Sequence, residues 1–380
     1  MSAFRLPCIT EATDLRGKHV FVRVSLDVPI EHGVVTNEFR IKKALPTIEF
    51  LVQAGARVIL ATHVGREPEN TTAPIFEALK KYVSLTHVEA VLGKRVESAV
   101  AALTDGGVLL LGNLRAHREE EVNDLAFAET LAGYAEYYVN DAFAVSHRAH
   151  ASIVGVPTFI PGYAGITFAE EYTHLSRALT PEHPAVFILG GAKFETKAPL
   201  IERYADAYDT VALGGALAND FLKGHGFEVG TSLVSPVDLS QSPLIHKQNI
   251  MVPVDVVVKS VRGVRCGLVS DVMGDEAILD IGMGTIDALA PFIKDAKTIL
   301  WNGPLGYYEG GCSAATEACA RLIAESDGFS VVGGGDTVAS IESLGLGDQF
   351  GFLSTAGGAM LEFLEKGTLP GIDVLKKMCL

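Results

Sequence analysis

Short, nearly continuous apolar runs, each followed by a stretch with helical spacing, most constrain what this chain can fold into. In the first half they are HVFVRV at 19–24, RVILA at 57–61, HVEAV at 87–91, GVLLL at 107–111 and EYYVN at 136–140. In the second half they are AVFIL at 185–189, DTVAL at 209–213, IMVPV at 250–254, KTILW at 297–301, FSVVG at 329–333 and a last run at 350–354. A strand with one wet face alternates apolar and polar residues. Runs without alternation are buried on both faces, as in a parallel sheet covered by helices. Between them, residues 41–54 place Ile41, Leu45, Ile48, Leu51 and Val52 at helical spacing, and 124–135 and 166–178 read as helices too. Strand–helix alternation, occurring as two sets, predicts an α/β chain of two doubly wound, Rossmann-like parallel-sheet domains.

The length of 380 residues accommodates two such domains and leaves no need for a disulfide or metal staple. GVPTFIPGYAG at 155–165 is rich in Gly and Pro and closes the first set. The predicted division is therefore 1–160, 161–355 and a short amphipathic tail, 356–380. The formal net charge is −15, which argues against a general nucleic-acid binder. That charge is unevenly placed: residues 1–160 hold 16 basic and 19 acidic side chains, the remainder 15 and 27. The less acidic half is where an anionic ligand is expected. The cysteines Cys8, Cys266, Cys312, Cys319 and Cys379 form no C-x-x-C pair, as in a reducing cytoplasm. The N-terminus lacks the apolar core of a signal peptide, and no apolar run approaches the length of a membrane span.

No G-x-x-x-x-G-K-[ST] motif occurs, and no G-x-G-x-x-G follows a strand, which weakens P-loop and dinucleotide readings. Other glycine-rich turns do follow strands. Gly190-Gly191-Ala192-Lys193 follows AVFIL, with Lys197 four residues on. Gly333-Gly334-Gly335-Asp336-Thr337 follows FSVVG and opens a helical pattern. Free amides at a helix N-terminus bind phosphate, and Gly lets a phosphate approach the backbone. Asp336 offers the hard oxygen ligand that Mg²⁺ prefers. The same glycines would serve a plain strand-to-helix turn. Trp301-Asn302-Gly303-Pro304-Leu305-Gly306, with Glu309 just beyond, reads equally as a buried Trp beside a turn.

In the first half the strand ends carry Arg and His instead. Arg23 lies in the first strand and Arg40 opens a helix. His63 and Arg66 follow the second strand, Arg115 and His117 follow GVLLL, and His147, Arg148 and His150 come after EYYVN. Ligands of open α/β sheets bind at the carboxyl ends of strands, so these loops would converge on one anion. A single Arg is more often a solvated surface residue. His147 and His150 have metal-ligand spacing, but no Cys or acidic partner is apparent.

With these motifs assembled, the chain resembles the phosphoglycerate kinase family over nearly its whole length. The motifs in order are VRVSLDVP, EFRIKKALPTIEFL, THVGR, LGNLRAHREEE, VNDAFAVSHRAHAS, ILGGAKFETK, MVPVDVVV, LWNGPLGYYE, VVGGGDTVASIE and STAGGAMLEFLE. The resemblance implies two doubly wound domains joined by a hinge, and a tail that returns to the first domain. It places the acid-binding patch at Ser25, Asp27, Arg40, His63, Arg66, Arg115, His147 and Arg148. It places the nucleotide side at Gly190, Gly191, Ala192, Lys193, Lys197, Gly214, Gly215, Asn302, Pro304, Gly306, Glu309, Gly333, Gly334, Gly335, Asp336 and Thr337. Asp336 would hold Mg²⁺. Arg40, Lys193, Lys197, Gly334 and Gly335 would offset charge on the transferring group. The partners implied are ATP/ADP and 3-phosphoglycerate/1,3-bisphosphoglycerate, with no nucleic acid and no membrane, for a monomeric cytoplasmic enzyme. Two rival readings are a paralogue phosphorylating another phosphorylated carboxylic acid and a nucleotide- or anion-binding homologue without turnover. A dehydrogenase lacks its dinucleotide fingerprint.

The family's first motif, R-V-D-F-N-V-P, reads here Arg23-Val24-Ser25-Leu26-Asp27-Val28-Pro29. Asp27 thus sets an anion where an anionic ligand is expected. At about 5 Å and an effective dielectric near 20 the repulsion is roughly 3 kcal/mol unless a neighbouring Arg offsets it. On this reading Asp27→Asn lowers the KM for 3-phosphoglycerate. The phosphate-side lysines are retained, while STAGGAM carries Ala356 and Met360 where the family has Gly and Ser.

Overall fold

Strand β1 (His19–Val24) is buried at every residue after His19. The rest of its sheet in chain order is β4 (Arg57–Thr62), β5 (Thr86–His87), β6 (Val108–Asn113), β7 (Tyr137–Asp141) and β8 (Gly162–Ala164). A two-residue pair, β2 (Ile30–Glu31) and β3 (Val34–Val35), stands apart as a small hairpin. The sheet order is β5-β6-β4-β1-β7-β8, and every pairing is parallel. Helices α1 (Phe39–Gln53), α2 (Ala73–Leu79), α3 (Lys94–Ala101), α4 (Arg118–Glu121), α5 (Leu125–Ala132) and α6 (Ile166–Leu179) accompany it. The computed structural model describes residues 5–192 and 194–378.

Side chains alternate between the two faces of a strand. Val20, Val22 and Val24 share a core with Ile41, Ile48 and Leu51 of α1 and with Val58, Leu60, Val108 and Leu110 of the neighbouring strands. Phe21 and Arg23 therefore point the other way. Phe21 stacks on Tyr138, and Arg23 meets Ser152 in the turn Ala151–Gly155.

The second sheet has the same logic. Its strands are β9 (Ala185–Leu189), β10 (Thr210–Leu213), β11 (Ile250–Met251), β15 (Thr298–Asn302), β16 (Phe329–Gly333) and β17 (Phe352–Leu353), in the order β11-β10-β9-β15-β16-β17, all parallel. Strands β9, β10 and β15 are buried throughout. The helices here are α7 (Phe194–Ala207), α8 (Gly215–Gly224), α9 (Met283–Asp295), α10 (Ala314–Ala324), α11 (Gly335–Ser343) and α12 (Gly358–Lys366). The α/β class with two parallel doubly wound sheets is the architecture observed.

Three predicted strands are much shorter than their apolar runs. Only Thr86–His87, Ile250–Met251 and Phe352–Leu353 pair. In 250–254, Pro253 has no N–H to give a ladder. An element absent from the sequence reading also appears, the antiparallel sheet β13-β12-β14 made of β12 (Asp255–Ser260), β13 (Gly263–Leu268) and β14 (Ala277–Ile281). Its signal is alternation: Val256 and Val258 are buried and their neighbours are not.

By its contacts the chain divides into Met1–Thr173 with Lys366–Leu380, and His174–Glu365. The divisions drawn at 160 and 355 from composition differ from this by about a helical stretch each. The Gly/Pro-rich segment contains β8, an edge strand paired with β7, so it belongs to the first unit. The start of α6 stays there as well, with Phe168 against Phe143 and its N–H on Asp141 Oδ1 at 3.0 Å. At the other end, α12 packs in the second unit, where Tyr204 donates to the Leu364 carbonyl. Only α13 (Pro370–Lys377) lies wholly in the first unit's tail; its Gly371 N–H reaches the Ser146 carbonyl at 3.0 Å.

Candidate active site

In the second unit four loops leave the carboxyl ends of β9, β10, β15 and β16, where an open α/β sheet binds its ligand. The backbones of the loops after β9, β10 and β15 are tied together. Gly190 N–H donates to Asn302 O (2.9 Å), Gly191 N–H to Pro304 O (3.1 Å) and Gly215 N–H to Leu305 O (2.7 Å). A Cβ at Gly190 would overlap the Pro304 carbonyl, so the close approach of these loops requires glycine there. Trp301 is fully buried and anchors its own loop through Nε1–H to Gly303 O at 3.0 Å.

Beside these loops lies a cleft of about 590 Å³. Gly191, Ala192, Gly215, Pro304, Gly306, Glu309 and Asp336 line it. Gly190, Gly214, Asn302 and Lys197 are not among its lining residues; they stand behind it. Gly214 packs on Leu305, Asn302 Nδ2 faces Met360 Sδ at 3.8 Å, and Lys197 Nζ donates to the Gly190 carbonyl. Burial of Lys197 lowers its ammonium pKa to about 8. Gly333 ends β16 against the Met360 thioether. Gly334 (φ 105°) turns the chain into α11, and the space at Gly335 is open. Thr337, in the first turn of α11, buries a hydroxyl that has no hydrogen-bond partner. Lys193 lies outside the described residues.

The sequence reading did not single out a second part of the lining. It comprises Asn219, Leu233, Val256, Ile278, Asp280 and Tyr308, several of them from the unforeseen antiparallel sheet. Leu233, Val256 and Ile278 give it apolar surface, and Asn219, Asp280 and Tyr308 bring polar groups. Asp280 is buried, and that burial raises its pKa to about 6 although it accepts the Ala315 and Ile281 N–H groups.

The first unit gathers the predicted cations. Arg115 donates through Nη1 to the Gly65 carbonyl and pairs through Nε with Glu121 at 3.5 Å. Its pKa is lowered, first by burial and then by the charge of Arg148, which places those two guanidinium groups within electrostatic reach. Arg148 is exposed and donates through Nε to His147 Nε2 at 3.3 Å. Arg66 is exposed. Arg40 donates to the Asp27 backbone carbonyl at 2.6 Å, and Ser25 is half-buried nearby in sequence.

Two of these histidines, His63 and His150, are neutral near pH 7. Burial first, and the Arg23 and Arg115 charges after it, bring the His63 pKa down to about 4, against the opposing pull of Asp27. His150 falls to about 4 as well, from burial and the charges of Arg23, Arg148 and Arg115. His63 and His150 therefore add no positive charge to the patch near neutral pH, whereas its arginines do. Asp27 is turned inward: Oδ1 accepts the Gly65 N–H at 2.9 Å and Oδ2 faces His63 Nε2 at 3.5 Å. Burial pushes its pKa up, but the hydrogen bonds from His63 and Gly65, with the positive charge of Arg40, outweigh that and hold it at about 2.

A model of the phosphoglycerate kinase family matches residues 9–367. The chain belongs to the phosphoglycerate kinase family. It is 42% identical to the phosphoglycerate kinase of Leptospira biflexa, covering 98% of both chains. It is 43% identical to that of Moorella thermoacetica over 95% of this chain and 97% of the other. Among solved structures, the phosphoglycerate kinase of Coxiella burnetii superposes with a TM-score of 0.86 at 35% identity, covering 98% of this chain and 99% of that one. The Pyrococcus horikoshii enzyme gives the same TM-score at 29% identity.

Phosphoglycerate kinases act with ATP or ADP, typically with Mg²⁺. Among the described residues no three His, Cys, Asp or Glu side chains gather to cage a cation. Mg²⁺ bound with phosphates needs only one or two carboxylates, and phosphate oxygens and water complete its shell. Asp336, exposed and lining the cleft beside the unpartnered Thr337 hydroxyl, is such a carboxylate, so the donor set fits. Among the described residues no helix is long and apolar enough to cross a membrane.

Beneath the patch lie Arg23, noted above among the strand cations, and two residues that the site reading of the sequence left out, Ser152 and Glu120. Arg23 (1% exposed), Ser152 and Glu120 form a buried array, with Arg23 Nε–H on Ser152 Oγ at 2.9 Å and Ser152 Oγ–H on Glu120 Oε1 at 2.5 Å. The signal for Arg23 was present, as a lone charge inside an apolar strand. Removing one member of a buried ion pair typically costs about 3–5 kcal/mol, because the other charge is left unpartnered.

Proposed function

We propose that this chain transfers the γ-phosphoryl group of ATP reversibly to the carboxylate of 3-phosphoglycerate, giving ADP and 1,3-bisphosphoglycerate, with the nucleotide on the second unit and the acid on the first. The observation that carries this is the pairing of two unlike sites at strand carboxyl ends. One is an apolar cleft rimmed by glycine turns and Asp336; the other is an arginine patch built from Arg40, Arg66, Arg115 and Arg148. Relatives at 40–43% identity that bear the phosphoglycerate kinase name favour this acid over another and favour turnover over binding alone.

The acceptor carboxylate is already an anionic nucleophile, so no general base is required. One carboxylate oxygen forms a bond to the γ-phosphorus as the bond to the β,γ-bridging oxygen breaks, and that oxygen leaves on ADP. The chain must align the two reactants and offset charge on the equatorial phosphoryl oxygens. Gly191, Gly215 and Pro304 border the nucleotide. The amides that open α11 at Gly335, Asp336 and Thr337 point free N–H groups at a phosphate. When bound, Mg²⁺ held by Asp336 supplies charge neutralisation on the phosphates. Lys197, with Lys193 beside it in sequence, faces the transferring group after leaving the Gly190 carbonyl, and Arg40 approaches from the acid side. Arg66, Arg115 and Arg148 take the acid's own phosphate and carboxylate, and Ser25 its hydroxyl. The enzyme works as a monomer in the cytoplasm, a setting that suits the free thiols of Cys8, Cys266, Cys312 and Cys319.

The test supplies ATP, Mg²⁺ and 3-phosphoglycerate and couples 1,3-bisphosphoglycerate formation to NADH oxidation. Turnover is expected. Turnover only with a different phosphorylated acid, or ATP binding with no turnover, would overturn this reading.

A further inference from the structure

Under the acid patch runs a chain of hydrogen bonds whose direction is forced at every step. A guanidinium can only donate. Arg23 donates through Nε to Ser152 Oγ at 2.9 Å, through Nη1 to the Val24 carbonyl at 2.7 Å, and through Nη2 to His63 Nδ1 at 2.9 Å. Ser152 Oγ, having accepted from Arg23, gives its own proton to Glu120 Oε1, and its N–H goes to Glu120 Oε2 at 2.9 Å. At the other end, His63 Nδ1 is an acceptor, so the ring proton stands on Nε2, which faces Asp27 Oδ2 at 3.5 Å. Arg23, Ser152, Glu120 and His63 are all at least 95% buried, so water offers no alternative partner.

We propose that Arg23 is a positioning residue for the acid site, which fixes His63 as a neutral imidazole carrying its proton on Nε2. This rests on the acid-site reading above. The consequence reaches the surface through the loop that carries Arg66. His63 holds Asp27, Asp27 holds the Gly65 N–H, and Arg115 holds the Gly65 carbonyl. Both backbone polar groups of Gly65, the residue before Arg66, are thus held by side chains. The groups acting on His63 are Arg23 from β1, Asp27 from the loop after it and Arg115 from the loop after β6, with His150 also in electrostatic reach. The depressed basicity of His63, to about 4, agrees with this surrounding.

The experiment is a long-range ¹H–¹⁵N correlation titration of the imidazoles in the intact chain, with His63 assigned through His63→Gln. In the parent protein, His63 is expected to show the Nε2–H pattern and to stay neutral from pH 8 to pH 5. A proton on Nδ1, or an imidazolium at pH 6, would overturn the proposal. In Arg23→Gln, the tautomers are expected to mix and the titration to move up toward 6.5. The KM for 3-phosphoglycerate should rise at least threefold and become pH-dependent between 5.5 and 7.5, with a smaller change in kcat. Unchanged tautomer and titration in that variant would overturn it. Ser152→Ala keeps the Arg23–His63 contact, and there the Nε2–H pattern should persist; its loss would assign the tautomer to the wider array instead. Arg23→Lys, which keeps one donor, should restore part of the pattern and covers the case in which Arg23→Gln does not fold. A parent protein inactive on 3-phosphoglycerate but showing the Nε2–H pattern would sink the functional reading while leaving this assignment standing.

Discussion

The carboxylate of Asp27 accepts the backbone N–H of Gly65 at 2.9 Å, so an anion that stands where an anionic substrate is expected is instead holding a loop of the substrate site. Its second oxygen faces His63, and Arg40 lies on its backbone carbonyl.

That geometry reverses the expectation for Asp27→Asn. An amide has one acceptor oxygen where Asp27 uses two, and its NH₂ would oppose either the Gly65 N–H or His63 Nε2–H. An unmade bond at such a site costs about 1–3 kcal/mol. The variant should lower stability by about that much and raise the KM for 3-phosphoglycerate several-fold. Denaturant unfolding and steady-state kinetics check it. A lower KM would mean that charge repulsion outweighs the brace.

Acid should destabilise the first unit through His63. The ring is neutral and buried in the fold, with a pKa of about 4, while the unfolded chain titrates near 6.5. Below pH 6.5 the unfolded state binds the extra proton, so stability falls as pH drops toward 4. At pH 5 the loss from this residue is roughly 2 kcal/mol relative to pH 7.5. Asp27 acts at lower pH: its depressed pKa adds stability above the ordinary carboxylate range that is lost as pH falls toward 2. Urea unfolding at pH 7.5 and pH 5, for the parent and His63→Gln, should show a smaller pH dependence in the variant.

Lys197→Ala should lower kcat by about two to three decades and change ATP affinity much less, the signature of a contact made only in the transition state. Because burial brings the ammonium to about 8, its charge fades as pH rises through that value, and kcat should fall on the same limb. Lys197→Arg should move that limb upward, whatever its effect on the rate. Equal losses in kcat and ATP affinity for the Ala variant would contradict the assignment.

The glycines separate into packing and approach positions. Gly190→Ala sets a methyl into the Pro304 carbonyl and should destabilise the second unit strongly, by about 3 kcal/mol or more. Gly334→Ala is strained by its φ of 105° and should cost about 1–2 kcal/mol. Gly335→Ala meets no neighbour within 4 Å and has no positive φ, so the fold should be retained while ATP binding weakens as the methyl enters the space a phosphate would take. Thermal unfolding and ATP titration of the three variants together check the assignment.

Much of the architecture was legible because burial on both faces leaves a mark in the chain: AVFIL and TILW are apolar without alternation, as a strand inside a covered sheet is. The glycine turns were legible for a related reason, since close backbone approach excludes every side chain. Short edge strands and the antiparallel β12–β14 sheet were not, because half-wet pairing leaves only a weak alternation, and Pro253 interrupts the run that leads into it. Composition also placed the division between units too early, since Gly and Pro serve an edge strand as readily as a linker.

The sequence by itself determined which side chains can ionise and which turns are rich in glycine, because those are read directly from residue type. It could not say which way a charge points. Only the tertiary structure decided that Asp27 faces its own loop, that burial keeps His63 and His150 neutral near pH 7, and that Gly190 and Asn302 stand behind the cleft. Each of those depends on neighbours far apart in the chain: Arg23 beside His63, Gly65 beside Asp27, Pro304 beside Gly190. Burial and hydrogen-bond direction, which set a group's charge and orientation, belong to such contacts and not to any one segment.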